Sequence, residues 1–371
     1  MNNVLLVATT SWAGMGPYAS EIINSFNEND NVYFFLVEDE RFFYSQNILL
    51  NQKKRGIILF RKNSRINKLT DLFYPSRYVR NELVKFCQQK QISTIHFLTS
   101  EVPYYKEIVY LQKKYNVFFT VHDLYPHEAK KSYHKLLRQK IIYKKLHKIR
   151  NAVNNLITNS ETQYNLLKSL YPQKNIYYHE FPSLINKSII EGSMIPHELI
   201  GISNYVLFFG RIEQYKGIDS IYDIFCNDSS LNNTKLVIAG SGDIYFKRNP
   251  HKEKNIIFIN RYIKDEEVSY LFTNAIITVY PYLSATQSGV LSLSTYFGKP
   301  ILASDLPYFQ IVESKGLGFN FTTNDKESLS QKLKQLLSIN LNQISQNQKE
   351  FYLSNFSKLS LRNNLLKIYN K

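Results

Sequence analysis

The chain has 371 residues, 44% of them apolar, and carries 46 Lys and Arg against 30 Asp and Glu, a formal charge of +16. That apolar content excludes wholesale disorder, and the length exceeds one ordinary core and suits two domains. Two cysteines, Cys87 and Cys226, one in each expected domain, suggest neither a disulfide framework nor a zinc site.

The chain opens on the apolar run Val4–Ala8, too short and without the basic flank of a signal-peptide core. No run approaches the ~18–20 apolar residues of a spanning helix. Pro17–Phe26 reads as a helix and Asn31–Val37 as a second strand, a strand–loop–helix–strand unit of parallel-sheet type. Apolar runs at Ile57–Phe60, Thr94–Leu98, Val117–Val121, Leu156–Thr158 and Ile176–Tyr178 continue the pattern, with helices expected at Arg77–Lys90 and Lys106–Lys114. Phe181–Ser203 breaks the rhythm with Pro182, Gly192, Pro196 and Gly201 and reads as an interdomain connection. The pattern then restarts: strands at Tyr205–Phe209, Leu236–Ala239, Ile256–Ile259, Ile276–Tyr280 and Pro300–Ala303, and helices at Gly217–Phe225, Asp265–Asn274, Gly289–Phe297 and Lys326–Leu337. The expected division is a domain over 1–182, a linker over 183–203, a second domain over 204–345, and a C-terminal helix over 346–371 packing back toward the first domain. The fold class is α/β. Two open parallel sheets bind ligands beyond the carboxyl ends of their strands, and two such edges facing each other suit a donor and an acceptor.

The charge is uneven. Residues 1–180 hold 26 Lys and Arg against 14 Asp and Glu; the rest holds 20 against 16. Such a field favours anionic partners, whether nucleic acid, anionic lipid or a phosphorylated substrate, and is also what a solvated face carries. Its densest part is 130–150, with nine Lys and Arg and no acidic residue: Lys130, Lys131, Lys135, Arg138, Lys140, Lys144, Lys145, Lys148 and Arg150. Leu136, Leu137, Ile141, Ile142, Leu146 and Ile149 recur there at helical spacing. A basic amphipathic helix fits docking on an anionic leaflet and equally fits a core-facing helix with a solvated face.

Four segments carry candidate chemistry. Ser11–Pro17 follows the first strand with Gly14 and Gly16, where backbone N–H groups can approach a phosphate at a helix start. It lacks the GxGxxG spacing, which disfavours a dinucleotide site and a nicotinamide oxidoreductase. Leu207–Gly217 runs from a strand into Gly210, Arg211, Lys216 and Gly217, two cations that can reach one diphosphate, or two solvated surface cations. Val237–Asp243 runs from a strand into Gly240 and Gly242, a backbone edge that can meet a nucleobase. Tyr280–Val290 places Thr286, Gln287, Ser288 and Gly289 at a helix start, where hydroxyls and free N–H groups suit an anion, with a simple Ser288 N-cap as the alternative. Glu38-Asp39-Glu40 superficially resembles a metal-binding acidic triplet but reads as an exposed acidic turn, and no metal is expected.

Together these segments resemble the retaining glycosyltransferases of family 4, whose GT-B fold sets two Rossmann-like domains face to face across a cleft. The resemblance covers most of the chain and is strongest from Tyr205 to Glu313. It implies that Arg211 and Lys216 contact the donor diphosphate, that Gly210, Gly240 and Gly242 shape the donor site, and that the backbone at Arg261 and Ile263 meets the base. It implies that Gly14 and Gly16 approach the phosphate and sugar and that His122, in Thr120-Val121-His122-Asp123, lies by the transferred sugar, with His127 a weaker candidate. Many members carry two glutamates eight positions apart; here those positions fall on Ala285 and Leu293, so Thr286, Gln287, Ser288, Gly289 and Val290 are expected to meet the donor instead. The implied activity is transfer, with retention, from a UDP- or GDP-sugar to a glycan or lipid-linked acceptor in bacterial surface polysaccharide synthesis. It implies neither cofactor nor metal, and a cytoplasmic enzyme at the inner face of the membrane. A nucleotide-sugar epimerase on the same fold and a basic nucleic-acid-binding protein are the alternatives; no recognition helix or RNA-binding motif supports the latter.

Overall fold

A computed structural model describes residues 3–9, 15–39, 47–61, 77–99, 101–124, 133–285 and 288–371. The chain divides into two units: Met1–Pro182 with Lys358–Lys371, and Ser183–Ser357.

The first unit holds a seven-stranded parallel sheet in the order β3-β2-β1-β4-β5-β6-β7. Its strands are β1 (Val4–Ala8), β2 (Val32–Asp39), β3 (Gly56–Arg61), β4 (Thr94–Phe97), β5 (Asn116–Thr120), β6 (Asn155–Thr158) and β7 (Asn175–Tyr178). All of β1, β4 and β6 is buried, as expected of strands covered by helices on both faces. Glu38 lies inside β2 and is buried, so the acidic turn expected there is a strand end; Glu40 lies outside the described residues.

The second unit holds a six-stranded parallel sheet in the order β10-β9-β8-β11-β12-β13. Its strands are β8 (Tyr205–Phe209), β9 (Lys235–Ala239), β10 (Ile256–Ile259), β11 (Ala275–Tyr280), β12 (Ile301–Ser304) and β13 (Gly318–Phe321). In each sheet the order reverses beside the first strand, at β1/β4 and at β8/β11, and these are the crevices where open α/β sheets take ligands.

Two boundaries differ from expectation. Ser183–Ser203 is not a free connection but part of the second unit. Its helix Lys187–Glu191 is capped by Asn186, whose amide also donates to Asp265 at 2.7 Å, and Ile185, Ile189 and Leu199 are buried in that unit's core. The helix Asn342–Asn355 also belongs to the second unit, so the crossing falls at Ser357/Lys358. The last helix, Lys358–Tyr369, buries Leu361, Leu365 and Ile368 in one cluster with Ala19, Ile22 and Ile23 of the helix Met15–Ser25. Arg362 donates to Asp30 (Nε to Oδ2, 2.7 Å), and Tyr369 bonds His96 Nδ1 at 2.6 Å.

Candidate active site

In the second unit the strand ends make a site of backbone and cations. Gly210, Gly240 and Gly242 take φ of 145°, 148° and 156°. The turns after β8 and β9 lie backbone against backbone: Gly210 N–H donates to Ala239 O at 3.0 Å and Ile212 N–H to Ser241 O at 3.0 Å. A Cβ on Gly240 would stand 1.9 Å from Gly210 O, so only glycine fits. Asn260 clamps this pair from β10's end, accepting from Gly242 N–H at 3.2 Å and donating to Gly242 O at 3.1 Å.

Beyond Gly210 the chain carries Arg211, exposed and ion-paired with Glu213, then a short 3-10 turn Gln214–Lys216. Gly217 closes that turn at φ 62°, and a Cβ there would meet Pro281 O at 1.9 Å. Leu283 N–H donates to Tyr215 O at 2.8 Å, so the loops after β8 and β11 are zipped together across the switch point. Lys216 is buried, 9% exposed, with Nζ 3.7 Å from the ring centre of Tyr282 and 4.8 Å from that of Tyr215. Burial, helped by the nearby Arg211 charge, pulls its ammonium down to about 7. A buried ammonium beside glycine turns at a switch point suits a polyanion that restores its charge.

The other expected donor contacts divide. Arg261 spends all five guanidinium N–H groups: on Glu198 at 3.1 and 3.1 Å, on Glu267 at 2.8 and 2.6 Å, and on Tyr262 O at 3.2 Å. The bonds to Glu267 and then Glu198 push its pKa up. Its side chain is therefore structural, and its own N–H donates to Ile259 O at 3.0 Å, so the base contact expected at Arg261 falls to its carbonyl, beside the backbone of Ile263. Ile263 is buried and Tyr262, passed over in the sequence, is 75% exposed beside it. Gly289, not Ser288, stands at the cap of the helix Val290–Tyr296, so there is no side-chain cap bond, and a Cβ there would press on the Leu184 side chain at 2.7 Å. Ser288 O accepts from Tyr308 at 2.7 Å, and Val290 is buried. Thr286 and Gln287 lie outside the described residues. Leu293, where many relatives carry a glutamate, is 1% exposed in the core, and Ala285 packs on the other face's core.

In the first unit the strand ends are polar but closed. His122, after β5, is buried; its Nε2 bonds Leu98 O at 2.7 Å, so the proton sits on Nε2 and Nδ1 is left as an acceptor without a partner. Tyr18 packs edge-on against its ring at 4.8 Å, and burial lowers its pKa against the pull of Leu98 O and Asp123, so the ring is neutral near pH 7. Glu101 was not anticipated. It is fully buried at φ 45°, in the turn after β4, and takes the Thr9 N–H on both oxygens at 3.0 and 3.1 Å with the Thr9 and Thr99 hydroxyls. Burial raises its pKa, opposed by those bonds. A lone Glu after a strand reads as surface; only the fold shows that it ties the end of β1 to the end of β4. Gly16 lies in the first turn of the helix Met15–Ser25 and is buried, rather than in the preceding loop. Gly14 and His127 lie outside the described residues.

Of the basic stretch, the helix Tyr133–Ala152 presents Lys140, Lys144 and Lys148 to solvent. Lys145 is half-buried with Nζ 5.0 Å from the ring of Tyr105, so it packs rather than projects. Lys130 and Lys131, and the side chains of Lys135 and Arg138, lie outside the described residues. No helix of the described residues is long and apolar enough to cross a membrane, and no group of three metal-binding side chains occurs among them.

Two Rossmann-like sheets in tandem, each with its switch point, define a GT-B fold. HepE of Anabaena in complex with UDP superposes over 100% of both chains at 13% identity and a TM-score of 0.70. Sucrose-phosphate synthase of Thermosynechococcus elongatus does so over 100% of this chain and 98% of its own at 13% identity and 0.68, and a glycosyltransferase of Rickettsia africae over 100% and 98% at 14% and 0.66. At such identities the likeness shows the fold. Residues 195–351 match the family described as glycosyl transferases group 1. The second unit thus carries a group 1 glycosyltransferase domain over those residues. No curated protein sequence matches the chain.

Proposed function

We propose that the chain transfers a sugar, with retention, from a UDP- or GDP-sugar to a glycan or lipid-linked oligosaccharide in the assembly of a bacterial surface polysaccharide. The observation that carries the reading is Lys216: a buried ammonium held next to the glycine turns at the β8/β11 switch point. Uridine is the base to try first, since HepE was solved with UDP and with UDP-glucose.

As the anomeric C–O bond breaks, the departing diphosphate collects negative charge. Lys216 and Arg211, set beside the glycine turns, are preorganised to offset it, which is where most of the barrier lowering in such a step arises. The acceptor hydroxyl gives its proton to a departing phosphate oxygen, so neither cofactor nor metal is needed. His122, neutral and with its buried Nδ1 unpartnered, is the acceptor for a sugar hydroxyl in this reading. Lys140, Lys144 and Lys148, with Leu137 51% exposed on the same helix, support docking on an anionic membrane, and nothing in the fold suggests a nucleic-acid partner. Sedimentation with phosphatidylglycerol vesicles but not with phosphatidylcholine is expected; equal sedimentation with both, or with neither, would count against docking.

The test is thermal unfolding with UDP, GDP, ADP, CMP and NAD. A ligand at 100 times its dissociation constant adds about 2.7 kcal/mol, several degrees in domains of this size. A rise with UDP or GDP alone supports the reading and names the base; no rise with any of the five, in folded protein, overturns it.

A further inference from the structure

Lys216 does not sit in its place by its own turn alone. Its Nζ lies 3.7 Å from the centre of the Tyr282 ring, close enough for direct contact with the π face, with Tyr215 at 4.8 Å on another side. The two rings stand 6.3 Å apart at 74°, so they form two walls of a corner. Tyr282 itself is fixed: 1% exposed, edge-on to Tyr280 at 5.8 Å and to Phe309 at 5.3 Å. The backbone around it is fixed as well, by the Leu283–Tyr215 bond and by the approach of Gly217 to Pro281 O. We propose that Tyr282 is a positioning residue for donor binding, its ring holding the Lys216 ammonium charged and aimed in a place where burial would otherwise neutralise it.

The physics is a balance of three effects. Burial disfavours the ammonium, and Arg211 on the same loop repels it, although Arg211 is itself paired with Glu213. A ring face opposes both, because its quadrupole attracts a cation most strongly where water is excluded. The groups about Nζ are Arg211 on its own loop, itself paired with Glu213, Tyr215 next to it and Tyr282 from the β11 loop, with Tyr280 edge-on to the Tyr282 ring. Burial raises the phenols of Tyr280 and Tyr282, so both stay neutral across the pH range of interest. Nothing in the sequence pairs the two, since Tyr282 lies 66 positions from Lys216, in a segment that stands out for its hydroxyls at a helix start.

The inference rests on Lys216 as a diphosphate ligand, and its test separates the two claims. Acetic anhydride labelling of the full-length protein as a function of pH, read at Lys216 by mass spectrometry, gives the titration of that amine without any nucleotide. Tyr282→Leu is expected to lower it by about one pKa unit and Tyr282→Phe, which keeps the ring, to leave it near the wild-type value. Affinity for UDP or GDP by calorimetry should then fall about tenfold in Tyr282→Leu at pH 8 but only about twofold at pH 6, where about half of the variant's amine is still charged. Tyr215→Leu, at a more exposed position, shifts the amine in the same direction by less and serves if Tyr282→Leu does not fold. An unmoved Lys216 titration in both leucine variants overturns the proposal, as does a Tyr282→Phe shift as large as that of Tyr282→Leu. A shifted amine with no nucleotide bound by wild-type protein supports the role of the ring and defeats the donor reading instead.

Discussion

At the first unit's switch point the strand ends carry polar groups already turned inward: Glu101 holding Thr9 and Thr99, and His122 bonded to Leu98 O. At the second unit's switch point they carry bare backbone and cations: Gly210, Gly240, Gly242, Arg211 and Lys216. The strand order around the two points is the same. One topology therefore offers two chemistries. The first suits neutral hydroxyls, which need few and well-aimed acceptors. The second suits a diphosphate, which needs positive charge and a backbone without side chains that it can approach closely.

The contrast breaks most severely at Gly240. Gly240→Ala puts a Cβ 1.9 Å from Gly210 O at φ 148° and is expected to destabilise the second unit by about 3 kcal/mol, seen as a lower denaturant midpoint for that unit with the first unaffected. Acid should act the other way round. Burial holds His179 down to about 4, so it stays neutral in the folded unit while the unfolded chain takes up its proton below about 6.5. That stability is fully present above pH 6.5 and is lost as pH falls toward 4, roughly 3 kcal/mol for this residue. His96 is lowered too, by burial first, and adds in the same direction. The first unit should therefore unfold before the second on acidification, and His179→Asn should narrow the gap; simultaneous loss of both units at every pH would contradict this. A smaller effect is expected on turnover: Lys216→Ala should cost at least tenfold, about 1.4 kcal/mol of barrier. Arg211→Ala should cost less, because that side chain is 64% exposed and shares its charge with Glu213.

What was legible in the sequence is what packing dictates locally. β1, β8 and β9 read as unbroken apolar runs because both faces are covered, and Gly210, Gly240 and Gly242 stood out because few other residues enter such turns. β13 was missed: Gly318–Phe321 alternates glycine and asparagine with phenylalanine, and is an edge strand whose pairing to β12 supplies what its composition lacks. Arg261 was legible as a cation but not as a spent one, since Glu198 lies 63 positions away. Glu101, and the roles of Asn260 and Tyr282 within segments that did stand out, were invisible for the same reason: each acts through a partner that only the parallel crossovers bring near.

The central claim is that the donor diphosphate is held by the glycine turns and Lys216 of the second unit. Backbone hydrogen exchange of the full chain with and without saturating UDP or GDP tests it most directly. Slowed exchange at Gly210–Gly217 and Gly240–Gly242, with Thr9, Leu98 and His122 unchanged, is the result this account predicts. Protection confined to the strand ends of the first unit would contradict it.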